Sequence, residues 1–203
     1  MYKRQLWAGL IAQQITLFSS QVLCGIWLSA GDVALLTVAQ RVAMLTSLIL
    51  LAVNMVVAPR FAALHNEGKT EELQRLTIDT TKLMLLVGTP VAVLVLFLAD
   101  SLMGQFGEGF DSGGLALQVI TLGQLVNIAT GSANILLIST GNEDALKKSH
   151  YVGAAGVLIA GVTLIPEYGV VGGAAATACA IATQNLLTVF FVKKRTGVSV
   201  IPT

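Results

Sequence analysis

The sequence predicts an all-α membrane protein, a single polytopic bundle of six transmembrane helices over residues 1–203. Hydrophobic residues make up 55% of the chain and charged residues only 11%, whereas charged residues make up about 25% of soluble domains. The apolar residues also form long runs, which at about 1.5 Å per residue can cross a hydrocarbon core of about 30 Å. The expected spans cover about residues 6–30, 33–58, 83–99, 115–140, 152–165 and 170–192.

The first span is expected to have one polar face. A signal peptide is not predicted, because the apolar run after MYKR is long and has no A-x-A cleavage site. At 100° per residue, the polar side chains fall within an arc of about 120°. They are Gln13, Gln14, Ser20, Gln21 and Cys24. Such a face either forms hydrogen bonds with other helices or borders a water-filled lumen, and the sequence leaves both possibilities open.

The second span, which follows a predicted turn at residues 29–32, contains an arginine. Arg41 lies about 12 Å along the helix axis from Val33. A guanidinium near the middle of a bilayer costs roughly 2.5–3.5 kcal/mol on insertion scales. Arg41 therefore either reaches the interface or pairs with a neighbouring helix, or it faces a water-filled cavity and meets an anionic ligand. The helix is expected to end at Pro59.

The segment 60–82 mixes acidic and basic residues and predicts a connector at the membrane interface. Residues 66–69 read as a turn, and Thr70 is predicted to be the N-cap of a short amphipathic helix. The third span follows, with a kink expected at Pro90. A glycine-rich loop with only acidic charges, residues 99–114, separates it from the fourth span.

The fourth span is the most polar. Gln124, Asn127, Gly131 and Asn134 occupy an arc of about 80° on a helical wheel. Three amides on one stripe cannot face lipid without leaving donors and acceptors unpaired, so this stripe must face protein or water. A short charged connector, residues 143–148, precedes the fifth span.

The last two spans are expected to pack closely against their neighbours. The fifth is predicted to end at Pro166, and residues 167–169 form a turn into the sixth. Both spans are rich in glycine and alanine, with small residues at four-residue spacing such as Gly173 and Thr177. Small residues at this spacing let helix backbones approach each other.

The basic residues predict the orientation. Six spans place both termini on one side of the membrane, and eleven of the twelve Lys and Arg residues then lie on that side. The positive-inside rule makes that side cytoplasmic, which predicts a multi-pass protein of the cell inner membrane. Arg41 is the exception, because it lies within a span.

The chemistry-bearing residues do not predict an enzyme. The spans contain no paired carboxylates, no Ser-His arrangement and no histidine-containing metal site, so neither a catalytic residue nor a cofactor is expected. The two cysteines and two histidines have no zinc-like spacing. The basic residues form small scattered clusters, which does not favour nucleic-acid binding.

Three stretches resemble the polysaccharide biosynthesis (O-antigen, Wzx-type) flippases of the multidrug/oligosaccharidyl-lipid/polysaccharide superfamily. The first is AQR at 39–41 with APR at 58–60. The second is QFGEGF at 105–110 with GQLVN at 123–127 and TG at 140–141, and the third is IPEYGVVGGAAAT at 165–177. Because members of that family have two six-helix bundles around a central cavity, the resemblance implies that this chain is the C-terminal half. Its partner is then a missing N-terminal bundle or a second copy.

The resemblance implies transport of a lipid-linked oligosaccharide, in contact with membrane lipids, for polysaccharide biosynthesis. The residues expected to bind substrate are Arg41, Gln124, Asn127, Asn134 and Gln21. Arg41 would grip the diphosphate that joins sugar to polyprenol through two parallel hydrogen bonds. A multidrug or cation antiporter of the same superfamily is an alternative, although no acid lies deep in a predicted span. A structural membrane subunit is another, if the polar stripes are fully packed.

Overall fold

The computed structural model describes residues 2–200, and within them the side chains of residues 11–48 and 50–200. This part of the chain contains helices and no strand, in agreement with the predicted all-α class. The elements are α1 Tyr2–Trp27, α2 Ala30–Leu45, α3 Leu48–Asn66, α4 Thr70–Phe97, α5 Ala99–Gly104, the 3₁₀ helix Phe110–Gly113, α6 Gly114–Ala129, α7 Ala133–Ser139 and α8 Glu143–Thr196.

The described residues contain fewer clear membrane spans than predicted. By length and composition, three stretches can cross a membrane, namely Thr70–Phe97, Phe110–Ala129 and Glu143–Thr196. The bent pair formed by α2 and α3 is a fourth candidate. A membrane bundle is therefore supported, whereas the number six stays a prediction.

Residues 29–32 begin α2 and do not form the predicted turn. Ser29 is the N-cap, and its hydroxyl accepts a hydrogen bond from the backbone N–H of Asp32 at 3.2 Å. The Asp32 carboxylate accepts one in return from the backbone N–H of Ser29 at 3.1 Å. This reciprocal pairing satisfies two helix-start donors, so α1 and α2 are separated only by residues 28 and 29.

The second predicted span is broken in the middle, and the predicted end at Pro59 is wrong. α2 stops at Leu45, α3 starts at Leu48, and the two axes meet at 49°. Pro59 lies inside α3, which continues to Asn66. A proline removes only one backbone donor, and the buried side chains of Val57 and Phe61 hold the helix against the core on both sides of it.

Residues 60–66 of the predicted connector belong to the end of α3, a turn follows at residues 67–68, and the predicted short amphipathic helix is the first part of α4. Lys69 takes the N-cap position, so Thr70 is the first helical residue, and Gly68 makes the preceding turn at φ +70°. Three threonines lie on the buried face of this segment, Thr77, Thr80 and Thr81. Each hydroxyl donates a hydrogen bond of 2.6–2.9 Å to the backbone carbonyl four residues earlier. Because these hydroxyls are satisfied within the helix, this face can pack inside the bundle, while the charged side chains of Arg75, Asp79 and Lys82 stay exposed.

The fourth predicted span is also broken. α6 ends at Ala129 and α7 begins at Ala133, with Gly131 at φ +57° between them. A side chain at this position would meet Thr81 of α4, whose Cβ and Cγ2 lie 3.0 Å and 3.1 Å from the place of an added Cβ. Glycine therefore supplies both the left-handed backbone and the room for α4.

α8 contains the fifth and sixth predicted spans, separated by Gly169 at φ 57° and ψ −132°. We call its two parts α8a (143–168) and α8b (170–196). The backbone of Gly172 lies against the carbonyl of Leu164, so the chain reverses here and the predicted turn is present. The helix starts earlier than expected, at Glu143, and continues past Pro166. Near its start Asp144 pairs with Lys147 at 2.8 Å, which lowers the pKa of the Asp144 carboxyl.

Two hydrophobic clusters hold the bundle together. The α2–α6 cluster joins α2, α5 and α6 to the ends of α1, α4 and α8a and to the start of α8b. Its fully buried members include Leu36, Met103, Leu117, Ile120 and Ile165. The α3–α7 cluster joins α3 and α7 to the start of α4 and both ends of α8; its members include Phe61, Leu73, Leu136, Leu137 and Val192. The extended segment after α8 returns to this second cluster, where Gln74 forms hydrogen bonds with the backbone N–H and carbonyl of Ser199.

Candidate substrate cavity

A cavity of about 400 Å³ opens between α1, α2, α6, α7 and α8b. We call it the polar cavity. Its polar lining consists of Gln13, Thr16, Gln21, Gln40, Arg41, Ser47, Gln124, Asn127, Asn134, Thr177, Gln184 and Asn185. All five residues that the sequence singles out for substrate binding, Gln21, Arg41, Gln124, Asn127 and Asn134, lie in this one wall. Their role in binding stays a prediction.

Arg41 lies on α2 about 16 Å along the axis from Ala30, and its side chain is exposed. None of the acids in the described part of the chain lies within ion-pair distance of it. The first of the two expected explanations was that Arg41 reaches the interface or pairs with a neighbouring helix; an ion pair is not found among the described residues, and the interface alternative stays a prediction. The guanidinium and its five donors are thus left open to the polar cavity.

Gln40, which precedes Arg41, ties three helices together. Its amide nitrogen donates to the hydroxyls of Ser20 on α1 at 2.9 Å and Thr177 on α8b at 3.1 Å. Its amide oxygen accepts from the side-chain nitrogen of Gln21 on α1. These hydrogen bonds fix the wall next to Arg41 and leave the Gln21 amide oxygen as an acceptor.

The polar face of α1 takes part in interhelical hydrogen bonds and also lines the polar cavity, whereas a water-filled lumen stays a prediction. Ser20 and Gln21 form interhelical hydrogen bonds, and Cys24 is buried in the α2–α6 cluster. Gln13 lines the polar cavity, whereas Gln14 lines a separate, largely apolar groove. Sequence reasoning missed the roles of Gln40 and Thr177. The signal for Gln40 was present, since it is a second polar residue inside an apolar run.

Ser47 is a further cavity residue that sequence reasoning missed. It lies at the break between α2 and α3, and its hydroxyl donates to the side-chain oxygen of Gln124 at 2.6 Å. The amide nitrogen of Asn127 lies 3.2 Å from the same oxygen and 3.4 Å from the Ser47 hydroxyl. This arrangement uses the Gln124 oxygen and leaves the Gln124 nitrogen as a donor and the Asn127 oxygen as an acceptor.

Asn134 follows the break at Gly131 and so belongs to a different helix from Gln124 and Asn127. The wheel that placed all three on one stripe does not extend through the break, yet Asn134 still lines the same cavity. Its side-chain oxygen is buried and has no hydrogen-bond partner among the described residues. A buried acceptor without a donor is costly, so this position favours a ligand or water that donates to it.

The charge of the polar cavity is one-sided. Arg41 is the only charged residue in the described lining, which contains no aspartate or glutamate. The wall presents a guanidinium and an amide donor beside amide acceptors. Such a set fits an anion joined to a group rich in hydroxyls, because guanidinium pairs with phosphate oxygens and amide oxygens accept from hydroxyls.

Residues 5–107, half of the chain, match the family model of the lipid II flippase MurJ. This chain belongs to the MurJ flippase family. The family is one of transporters and not of enzymes, so the sequence prediction on this point is confirmed. A place in the membrane follows from the family and from the apolar helices.

Two curated relatives extend the MurJ-family match to proteins named for polysaccharide or flippase functions. The chain is 24% identical over 124 residues to the capsular polysaccharide biosynthesis protein CapF of Staphylococcus aureus, which covers 61% of the chain and 31% of CapF. It is 21% identical over 171 residues to the probable flippase AglR of Haloferax volcanii, which covers 83% of the chain and 36% of AglR. The predicted resemblance to the flippases of this superfamily is confirmed.

Solved structures show the same MurJ-like fold. The lipid II flippase MurJ in its inward closed conformation aligns with a TM-score of 0.79 at 20% identity, over 91% of this chain and 41% of that one. An outward-facing multidrug resistance transporter of the MATE family and MOP superfamily aligns with a TM-score of 0.77 at 19% identity, over 98% of this chain and 45% of that one. The chain thus spans about a third of the curated relatives and less than half of these structures.

Proposed function

We propose that this chain forms one lobe of a transporter that moves a lipid-linked oligosaccharide across the cytoplasmic membrane for polysaccharide biosynthesis. The observation that carries the proposal is the unpaired Arg41 in a polar cavity whose described lining has no acid. A guanidinium within a membrane helix costs several kcal/mol unless an anion or water compensates it. The diphosphate of a polyprenol-linked sugar supplies two negative charges at one place.

The other lining residues fit the sugar part of such a substrate. The Gln124 nitrogen and the oxygens of Gln21, Asn127 and Asn134 remain available after the internal hydrogen bonds are counted. Sugar hydroxyls both donate and accept, so they match a wall that offers both kinds of group. The names of the MurJ, CapF and AglR relatives, which refer to flippases and polysaccharide biosynthesis, support the same substrate class.

We propose six spans for this lobe, namely α1, α2 with α3, α4, α6 with α7, α8a and α8b. Each half of α8 is about 40 Å long at 1.5 Å per residue, enough to cross the bilayer by itself. The basic residues then place both termini in the cytoplasm. Cysteine introduced at Lys69 should react with an impermeant reagent only after the membrane is opened, whereas cysteine at Glu108 should react in intact cells. The reverse pattern would contradict this orientation.

The lobe needs a facing partner, which we propose to be a second six-helix bundle, either an N-terminal one or a second copy. The polar wall around Arg41 and Gln124 cannot face lipid, and the chain covers less than half of the structures it matches. Transport by this chain as a monomer would contradict this point.

A multidrug or cation antiporter remains the second candidate, because a MATE-family structure shares the fold. Cation coupling within such a bundle calls for a buried carboxylate. The described lining of the polar cavity has none, which favours an anionic substrate.

The test of the proposal is polysaccharide export in cells that make the complete transporter with a changed Arg41. Arg41→Ala should abolish export without lowering the amount of protein in the membrane. Arg41→Lys should retain partial export, because lysine keeps the charge but loses the two-pronged hydrogen bonding. Arg60→Ala is the matched control, since Arg60 is an exposed arginine outside the cavity lining. Normal export by Arg41→Ala would overturn the proposal.

A further inference from the structure

Two long helical segments of the lobe are broken, and the breaks lie next to each other. The first, at residues 46–47, separates α2 from α3, and the second, at residues 130–132, separates α6 from α7. Ser47 in the first break donates to Gln124 and lies 3.4 Å from the side-chain nitrogen of Asn127, both in the last two turns of α6. The Ser47 hydroxyl at the first break therefore contacts the end of α6, just before the second break.

Both breaks coincide with the border between the two hydrophobic clusters. Among the described residues, α2 and α6 contribute to the α2–α6 cluster and α3 and α7 to the α3–α7 cluster, with no exchange between them. A small third cluster crosses this border, because it joins Leu50 of α3 and Ile128 of α6 to Met84 and Ala92 of α4. Apart from this contact, α3 and α7 pack in a different cluster from α2 and α6.

The backbone at the breaks is held by tight turns in place of regular helical hydrogen bonds. Near the first break, the N–H groups of Thr46 and Ser47 donate to carbonyls three residues earlier at 3.2 Å and 3.0 Å. At the second, Gly131 donates to Ile128 at 3.0 Å and Ala133 to Thr130 at 3.4 Å. Helices bend where their regular hydrogen bonds are interrupted, and at the second break Gly131 adopts φ +57° without the strain that another residue would have.

Other helices cross the border without a break. α4 contributes Leu73 to the α3–α7 cluster and Val95 to the α2–α6 cluster. α8b likewise contributes Val192 to the α3–α7 cluster and Ala174 to the α2–α6 cluster. These helices form a continuous frame. A rotation about the breaks would move α3 and α7 relative to that frame.

We infer that α3 and α7 turn together as one unit about the two breaks, and that Ser47 is the positioning residue that couples them. α3 and α7 share the buried side chains of Phe61, Leu136 and Leu137, so movement of one helix alone would expose apolar surface, whereas Leu73 and Val192 of the frame helices belong to the surface against which both would turn. Ser47, Asn127 and Asn134 all line the polar cavity, so the rotation changes the width of that cavity. This inference goes beyond the proposed function and holds whatever the substrate is.

The rotation can be measured by spin-label distances in the complete transporter in lipid nanodiscs, with Cys24 and Cys179 replaced by alanine. Three exposed positions serve as label sites, Phe97 on the frame helix α4, Met55 on α3 and Ile138 on α7. The pairs 97–55 and 97–138 should each show two distances, a short one and a long one. The fraction of molecules at the short distance should be the same for both pairs, and a polyprenyl diphosphate should change that fraction equally in both. The pair 55–138 should show one distance throughout.

Two variants at the first break test the coupling. Ser47→Ala removes the hydroxyl that reaches α6, and it should make the populations of the two frame pairs unequal and broaden the 55–138 distance. Thr46→Val is the matched control, because the Thr46 hydroxyl bonds only to Ala43 in its own helix at 2.7 Å, and it should leave all three pairs unchanged. Ser47→Thr should restore the coupling.

A single distance in both frame pairs, with and without the polyprenyl diphosphate, would overturn the hinge. Equal effects of Ser47→Ala and Thr46→Val would overturn the role of Ser47. Coupled two-state distances in a transporter whose export does not depend on Arg41 would support the hinge and contradict the proposed function, so the two proposals fail separately.

Discussion

Gly131→Ala should destabilise the lobe more than an ordinary glycine substitution. Gly131 has φ +57°, and a non-glycine residue in this region costs about 1–2 kcal/mol. The added methyl group would also lie 3.0 Å from the Cβ and 3.1 Å from the Cγ2 of Thr81, and overpacking of this kind costs about 1–3 kcal/mol. The expected loss of unfolding free energy is therefore about 2–5 kcal/mol.

Gly141→Ala is the matched control for the backbone part of this effect. Gly141 has φ +71°, and an added Cβ there meets nothing within 4 Å, so only the cost of about 1–2 kcal/mol remains. Both variants can be compared by denaturant or thermal unfolding of the purified transporter in detergent. Thr81→Ala should recover part of the loss in Gly131→Ala and none in Gly141→Ala. Equal stability of the two glycine variants would refute the close approach of α4 to the break.

Three smaller changes test other contacts. Gln40→Ala removes three interhelical hydrogen bonds and should lower the unfolding free energy by about 2 kcal/mol, at roughly 0.6 kcal/mol each in a membrane. Gln74→Ala should speed hydrogen exchange at the backbone amide of Ser199, whose partner it removes. The hydrogen bond from Lys147 lowers the pKa of Asp144. This pair therefore stabilises the helix start at pH values above the ordinary carboxyl pKa, and its contribution is lost as the pH falls through the lowered pKa. Lys147→Ala should raise the Asp144 pKa in an NMR titration.

The sequence predicts those parts of the fold that depend on local composition. Apolar runs mark the membrane helices, and the reversal near Gly169 follows a proline. The unusual residues of the cavity are also visible, because an arginine or an amide in an apolar run must avoid lipid. On this basis the sequence predicts Arg41, Gln124, Asn127, Asn134 and Gln21 as substrate-binding residues, and all five line one cavity.

The two helix breaks depend on tertiary packing and could not be predicted in this way. Gly131 interrupts the fourth span because α4 approaches it closely, and the sequence around Gly131 does not record the position of Thr81. Conversely, Pro59 predicted a helix end that does not occur, because Val57 and Phe61 anchor the helix on both sides of the proline. The role of Ser47 was missed for the same reason, since its partner Gln124 lies 77 residues away along the chain. Gln40 is visible as an amide in an apolar run, but its bond to Thr177, 137 residues away, depends on the packing of α8b.

Equilibrium binding of a polyprenyl diphosphate to the purified complete transporter shows whether Arg41 holds the diphosphate of a lipid-linked substrate. Because a hydrogen bond to a charged group contributes about 1.5–3 kcal/mol, Arg41→Ala should weaken binding by about 10- to 150-fold, and Arg41→Lys by less. Arg60→Ala should bind like the unchanged protein, and a monophosphate of the same polyprenol should bind more weakly than the diphosphate. Equal affinity of Arg41→Ala and the unchanged protein would contradict the binding of the diphosphate by Arg41.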